Sequence, residues 1–175
     1  MNGYNFSINA EKYAIKDTPV KGKQVVLVET PNANWFLLDS HIDTSTVAGL
    51  LGDAQLQWLV DELDKRPYKP ALLAAHHNLD AGDGTLQDAP KFWEVIKSRK
   101  QVKAFIYGHT HGYRESVRDG VHLINLPALA WRFNDVSPLG WTEAILKPNG
   151  LDLKLHTIDK DHPKNNDVRT FEWLR

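Results

Sequence analysis

The chain has 175 residues and a net charge of −1, its 21 basic and 22 acidic side chains interspersed, so it has neither the basic stripe of a nucleic-acid face nor an acidic tail. It contains no cysteine, which excludes disulfides and thiolate metal sites and leaves histidine nitrogen and oxygen groups as metal donors. Length and composition are those of one ordinary domain with a sizeable core.

In chain order, KQVVLVE (23–29) and NWFLLDS (34–40) are short apolar runs separated by the turn signal TPNAN, which predicts a hairpin. Leu56, Leu59, Val60 and Leu63 then fall at i, i+3, i+4 and i+7. This is one face of an amphipathic helix, with Asp53 as its expected N-cap and Pro67 beyond its end. KPALLAAHH (69–77) is a continuous apolar run, as expected of a strand buried on both faces. A polar, glycine-containing loop follows. Residues 89–101 are expected to form a second helix, with Pro90 in its first turn. VKAFIYG (102–108) predicts another buried strand. GVHLINLPALAW, GWTEAILKPNG and LDLKLHTI predict further strands, with turns at Asp119-Gly120 and Asn149-Gly150. Residues 160–175 are expected to be a polar tail, within a single domain spanning 1–175. The alternation of helices and buried strands indicates an α/β layered domain, with ligands at the C-terminal ends of the strands.

Two places meet that expectation. The strand at 69–75 runs into His76-His77, and the strand at 102–107 runs into Gly108-His109-Thr110-His111. In extended chain, His109 and His111 would share one side with Thr110 pointing away. Parallel pairing of the two strands would set His76 beside His109, so three imidazoles would converge on a metal such as zinc, iron or manganese. The alternative is a set of partly exposed polar residues where strands stop. His122, in an apolar strand, is expected to pack or hydrogen-bond. His156 and His162 are expected to be uninvolved. Trp131, Arg132 and Phe133 would either line a substrate pocket or make surface contacts, and Trp58 would pack on the sheet.

The order LLDS, GLLGDAQLQWLVDEL, PALLAAHHN and AFIYGHTH resembles the C-terminal half of a calcineurin-like metallophosphoesterase, in the branch of the class III cyclic-nucleotide phosphodiesterases. The resemblance covers roughly residues 23–130. It implies the C-terminal portion of a four-layer α/β/β/α sandwich and two divalent or trivalent ions (Mn, Fe or Zn). By the same resemblance, His76 and His109 would bind one ion and His111 the other. His77 would be the catalytic residue among these, in the second shell or near substrate. The implied reaction is hydrolysis of a phosphomonoester or phosphodiester by a metal-bound hydroxide at a dinuclear site, acting on a small phosphorylated substrate.

The family's D-x-H, G-D-x-x-D and G-N-H-[DE] blocks are not found in their expected context. Asp39-Ser40-His41 spells D-x-H at the place of the ordinary LDS strand, which is a coincidence on this reading. Gly52-Asp53 lacks its second aspartate. Asn78, Asp80 and Asp83 are candidate oxygen donors, the favoured alternative being that they form a simple solvated loop. The expectation is therefore the C-terminal part of a longer enzyme, inactive alone, whose open sheet edges favour association. Two alternatives remain: a non-catalytic relative acting as a metal-binding or scaffolding module, and a structural domain holding one ion on three imidazoles. The absence of a signal-peptide pattern and of any apolar run of roughly 18 residues leads to an expected cytoplasmic, non-membrane location.

Overall fold

The computed structural model describes residues 18–80, 82, 84–133 and 135–175. Its elements are β1 (Val26–Glu29), β2 (Asn34–Leu37), α1 (Asp53–Asp64), β3 (Ala71–Ala75), α2 (Ala89–Lys97), β4 (Val102–Tyr107), β5 (Arg114–Arg118), β6 (Val121–Asn125), β7 (Gly140–Lys147), β8 (Gly150–Thr157) and β9 (Val168–Glu172). They build a six-stranded sheet of order β1-β2-β3-β4-β6-β5 and a three-stranded sheet of order β7-β8-β9.

The predicted hairpin forms: β1 and β2 pair antiparallel, with Glu29 opposite Asn34. The helix crossovers through α1 and α2 make β2, β3 and β4 parallel neighbours, and β6 continues the parallel run. Alternation then sorts the side chains. Phe36, Leu73, Phe105 and Tyr107 face one side with Leu56, Leu59 and Leu63 of α1 and Phe92, Trp93 and Ile96 of α2. Leu72, Ala104, Ile106 and Ile124 face the other side, against Leu151, Leu153 and Phe171 of the second sheet. Strands covered by helices on one face and a sheet on the other must be apolar on both, which is why β3 and β4 read as unbroken apolar runs. The described residues thus form three layers, α/β/β, and the outer helical layer of the expected four-layer sandwich is not among them. Trp58 packs edge-on against Phe36, with ring centroids 6.0 Å apart, as expected.

Several local expectations are corrected. Gly52, at φ 84°, is the N-cap of α1, and Asp53 is the first helical residue, its carboxylate on Lys91 at 2.8 Å. The amides entering the helix are instead held from across the fold, Leu51 N–H and Gly52 N–H donating to Asp88 at 3.1 and 2.8 Å. Helix α2 stops at Lys97 rather than 101. The turn between β7 and β8 is Pro148-Asn149, with Gly150 already paired to Lys147. The segment 160–175, expected as a polar tail, contains β9, whose Phe171 is buried against the first sheet. β5 was not expected at all. Its five residues are all exposed, so no apolar alternation announces it. Asp119-Gly120 turns as expected, both residues having positive φ, and it carries β5 into β6. No described helix is long and apolar enough to cross a membrane.

Candidate metal centre

Strands β3 and β4 end side by side, Ala75 opposite Tyr107, and the pairing extends one step further because Gly108 N–H donates to the His76 carbonyl at 3.0 Å. His76 and His109 therefore leave the sheet at the same edge. Their Nε2 and Nδ1 atoms lie 3.2 Å apart. His77 joins them, so that His76, His77 and His109 each offer a ring nitrogen within 4.8 Å of the others. Neutral imidazole is the form that binds metal. Partial burial, and then the neighbouring imidazoles His77, His109, His41 and His111, lower the pKa of His76 to about 4. Burial also lowers His77 and His109. The edge is thus furnished with uncharged nitrogen donors at neutral pH.

His77 is the most deeply placed of the three, with both ring nitrogens engaged by the 38–50 segment. It is 2% exposed. Its Nε2 lies 3.0 Å from the Val47 carbonyl and its Nδ1 lies 2.8 Å from Ser40 Oγ. A carbonyl only accepts, so Nε2 carries the proton and Nδ1 receives the Ser40 hydroxyl. His41, set aside at the sequence level as part of a coincidental D-x-H, is beside the site: its ring stacks on His76 at 5.5 Å and 19° and meets His77 edge-on at 5.7 Å. Asp39 turns away, its carboxylate accepting the amides of Gln24 and His41 at 3.0 Å each. The signal that could have found His41 is its place four residues beyond β2, the strand adjacent to β3. His41, Asp43, Thr44, Thr46 and Val47 form one wall of an open depression of about 430 Å³, with His76, His77 and His109 opposite.

The H-x-H pair is not extended. His109 and His111 have left-handed backbones, φ 58° and 50°, so the i, i+2 rule for strands does not govern them. His111 lies near enough to lower the pKa of His109, but its ring stacks on Phe133 at 4.5 Å and meets Trp131 edge-on at 6.0 Å. Its Nδ1 is buried and without a hydrogen-bond partner. Trp131 and Phe133, each about two-thirds exposed, therefore stand beside the site through His111.

The oxygen candidates are mostly committed elsewhere. Asn78 is buried and donates to Asp80 at 3.1 Å, while Asp80 lies 3.5 Å from Arg114. Asp83 lies outside the described residues. Asn78 Oδ1 alone is buried without a partner. His122 hydrogen-bonds the Glu172 carbonyl at 2.7 Å, joining the two sheets. His156 pairs with Glu143 at 3.1 Å and stacks on Trp141, and His162 accepts the Lys164 amide.

The described residues thus form a mainly parallel α/β sheet backed by a second sheet, with imidazoles gathered at the carboxyl ends of two adjacent strands. No protein-family model matches the chain. It is 32% identical over 136 residues to the 3',5'-cyclic adenosine monophosphate phosphodiesterase CpdA of Vibrio vulnificus, covering 68% of this chain and 49% of that protein. It is 33% identical over 156 residues to a probable cyclic nucleotide phosphodiesterase of Synechococcus, covering 82% of this chain and 58% of the relative. A dimetal phosphatase from Danio rerio has the same fold, with TM-score 0.66 at 16% identity over 85% of this chain and 60% of that one. Similarity in sequence to these phosphodiesterases and in fold to the dimetal phosphatase bears out the resemblance to the calcineurin-like metallophosphoesterases. It spans about half the length of the curated relatives it matches.

Proposed function

We propose that this chain carries the histidine portion of a metal-dependent phosphoesterase site that hydrolyses a phosphomonoester or phosphodiester of a small molecule. The carrying observation is the approach of His76 Nε2 to His109 Nδ1, 3.2 Å, at the carboxyl edge of the sheet. Support comes from the relatives, which are named phosphodiesterases.

The donor set fits one ion of the zinc, iron or manganese type, held by His76 and His109, since both rings are neutral nitrogen donors with depressed pKa. His111, with its buried and unpartnered Nδ1, is the donor for a second. Bound divalent ions supply Lewis acidity, worth several kcal/mol of transition-state charge stabilisation. The chain's own residues do the rest. His76 and His109 fix the position of the reacting phosphoryl group at the strand edge. His41, Thr44 and Thr46 wall the depression in which that group would sit. Trp131 and Phe133 flank it on the His111 side. A dinuclear site also needs oxygen donors. Among the described residues no carboxylate joins the His76–His77–His109 group, so the reading includes carboxylates supplied from outside them.

That same lack of carboxylates favours a second reading, a metal-binding module without turnover. One experiment separates the two. The chain is purified from medium containing manganese, iron and zinc, metal is counted by elemental analysis, and bis(p-nitrophenyl) phosphate hydrolysis is assayed. Metal that is present in wild type and lost in His109→Ala supports the site. Equal metal in both proteins overturns it. Bound metal without hydrolysis selects the module. Association is part of the proposal too: the outer edge of β1 is unpaired among the described residues and presents Val26 and Val28, 38% and 42% exposed.

A further inference from the structure

His77 has the residue type of a proton-transfer group but is placed as a fastening. Residues 38–50 leave β2, arc over the strand-end histidines and return toward α1. The arc closes where Leu50 N–H donates to the Ser40 carbonyl at 2.9 Å. Its far side is tied down by Gly49, whose amide donates to Thr85 O at 3.0 Å and whose carbonyl accepts Gln87 N–H at 2.8 Å. His77 sits inside this arc. Ser40 Oγ meets its Nδ1 at 2.8 Å and also accepts its backbone amide at 3.4 Å, and Val47 O takes its Nε2–H at 3.0 Å. The neutral ring has one donor and one acceptor, and both are spent on the arc. Gly49 packs so closely that a Cβ there would lie 2.4 Å from His77 Cγ and Nδ1. The ring then contacts His109 at 4.7 Å and 42°, and His76 at 4.9 Å and 88°.

We propose that His77 is a positioning residue, pinned by Ser40 and Val47, that locks the 38–50 loop onto the strand ends and sets the rings of His76 and His109 for metal. Ser40, rather than a free proton acceptor, is its functional partner. The loop so held presents His41, Thr44 and Thr46 to the depression, so one buried imidazole orders both the donors and the opposite wall. This deepens the metal-site reading and rests on it for its affinity readout.

The test is cobalt(II) titration of the full chain, followed by absorption and calorimetry, with amide hydrogen exchange at Leu50 and Gln87 measured in parallel. The proteins are wild type, Ser40→Ala, Ser40→Thr and His77→Gln. Residues that hold ligating side chains in place typically govern 10–100-fold in metal affinity, and Ser40→Ala, which releases His77, is expected to weaken cobalt binding by that factor. It should also speed exchange at both amides, and Ser40→Thr should restore both. Wild-type affinity and exchange in Ser40→Ala would overturn the proposal. Faster exchange at unchanged affinity would also overturn it, reducing His77 to loop packing. If wild type binds no cobalt, the metal reading fails by itself, and the exchange comparison still decides whether His77 holds the loop. Should His77→Gln not fold, the Ser40 pair carries the test alone.

Discussion

A left-handed backbone costs a non-glycine residue on the order of 1–2 kcal/mol, and this chain places two such residues, His109 (φ 58°) and His111 (φ 50°), at one strand end. Strain of this kind is kept where the surroundings over-determine it. Here the flanking bonds are Gly108 N–H to His76 O at 3.0 Å and Thr110 Oγ1 to Asn125 Oδ1. Asn125 is fully buried and its amide also reaches the Gly108 carbonyl at 2.9 Å. Asn125→Ala should therefore loosen the loop, lower stability by about 1–3 kcal/mol, and weaken metal binding without removing a donor, as urea unfolding and metal titration would register. His122→Ala should lose a comparable amount, because it removes the bond from β6 to the Glu172 carbonyl in β9. Its metal content should be unchanged, and a fall in bound metal would mean the site is misplaced. Gly49→Ala is expected to cost about 1–3 kcal/mol by overpacking His77, readable as a lowered Tm.

At the scale of elements, α2 ends without a glycine cap, and the cation that finishes it comes from the far end of the chain. The Arg175 guanidinium donates to the carbonyls of Ile96, Lys97 and Arg99 at 2.7–3.1 Å, and to Val102 and Asp119 at 3.0 and 2.9 Å. It serves the unpaired carbonyls of the helix end and places positive charge at the negative end of the helix dipole. Arg175→Ala should cost about 2 kcal/mol in chemical denaturation, with Arg175→Lys recovering only part, since an ammonium cannot reproduce the planar fork. Helices α1 and α2 were legible because their inward residues recur with helical period. β5 was not, because all its side chains are exposed. β9 was not, because it buries only Phe171. Strands that show one or no apolar residue to a core have no period to read.

For the whole molecule, ion pairs tie the helical layer together and to the sheet edge, their acids being Glu62 and Asp64 on α1 and Glu29 on β1. Arg99 holds Asp64 at 2.8 Å, and Arg66 holds both Glu62 and Glu29 at 2.5 Å. Hydrogen bonds from Arg99 to Asp64, and from Lys65 and Arg66 to Glu62, lower the carboxyl pKa values below their ordinary range. A carboxylate with a lowered folded-state pKa adds stability that is fully present above the unfolded value and is lost as pH falls through the folded one. Thermal stability should therefore decline on acidification below the ordinary carboxylate range, and Glu62→Gln with Asp64→Asn should flatten that decline. An equal slope in the double variant would place the acid sensitivity elsewhere. The effect is modest because the pairs are at the surface.

Apolar periodicity and strand-ending histidines were enough to specify, from the sequence, the parallel α/β core, the order of its central elements and the meeting of His76 with His109. These follow from local rules: a strand buried on both faces must be apolar throughout, and parallel neighbours end on the same edge. What only the tertiary structure decided is everything that depends on residues far apart in the chain. Ser40 and Val47 close on His77 from another strand's loop, His41 stacks on His76, and Phe133 takes His111 aside. Asp88, not Asp53, holds the entry to α1. A hydrogen bond between residues 37 apart leaves no trace in either one's local sequence, because nothing within a turn or a strand's reach of either residue requires it.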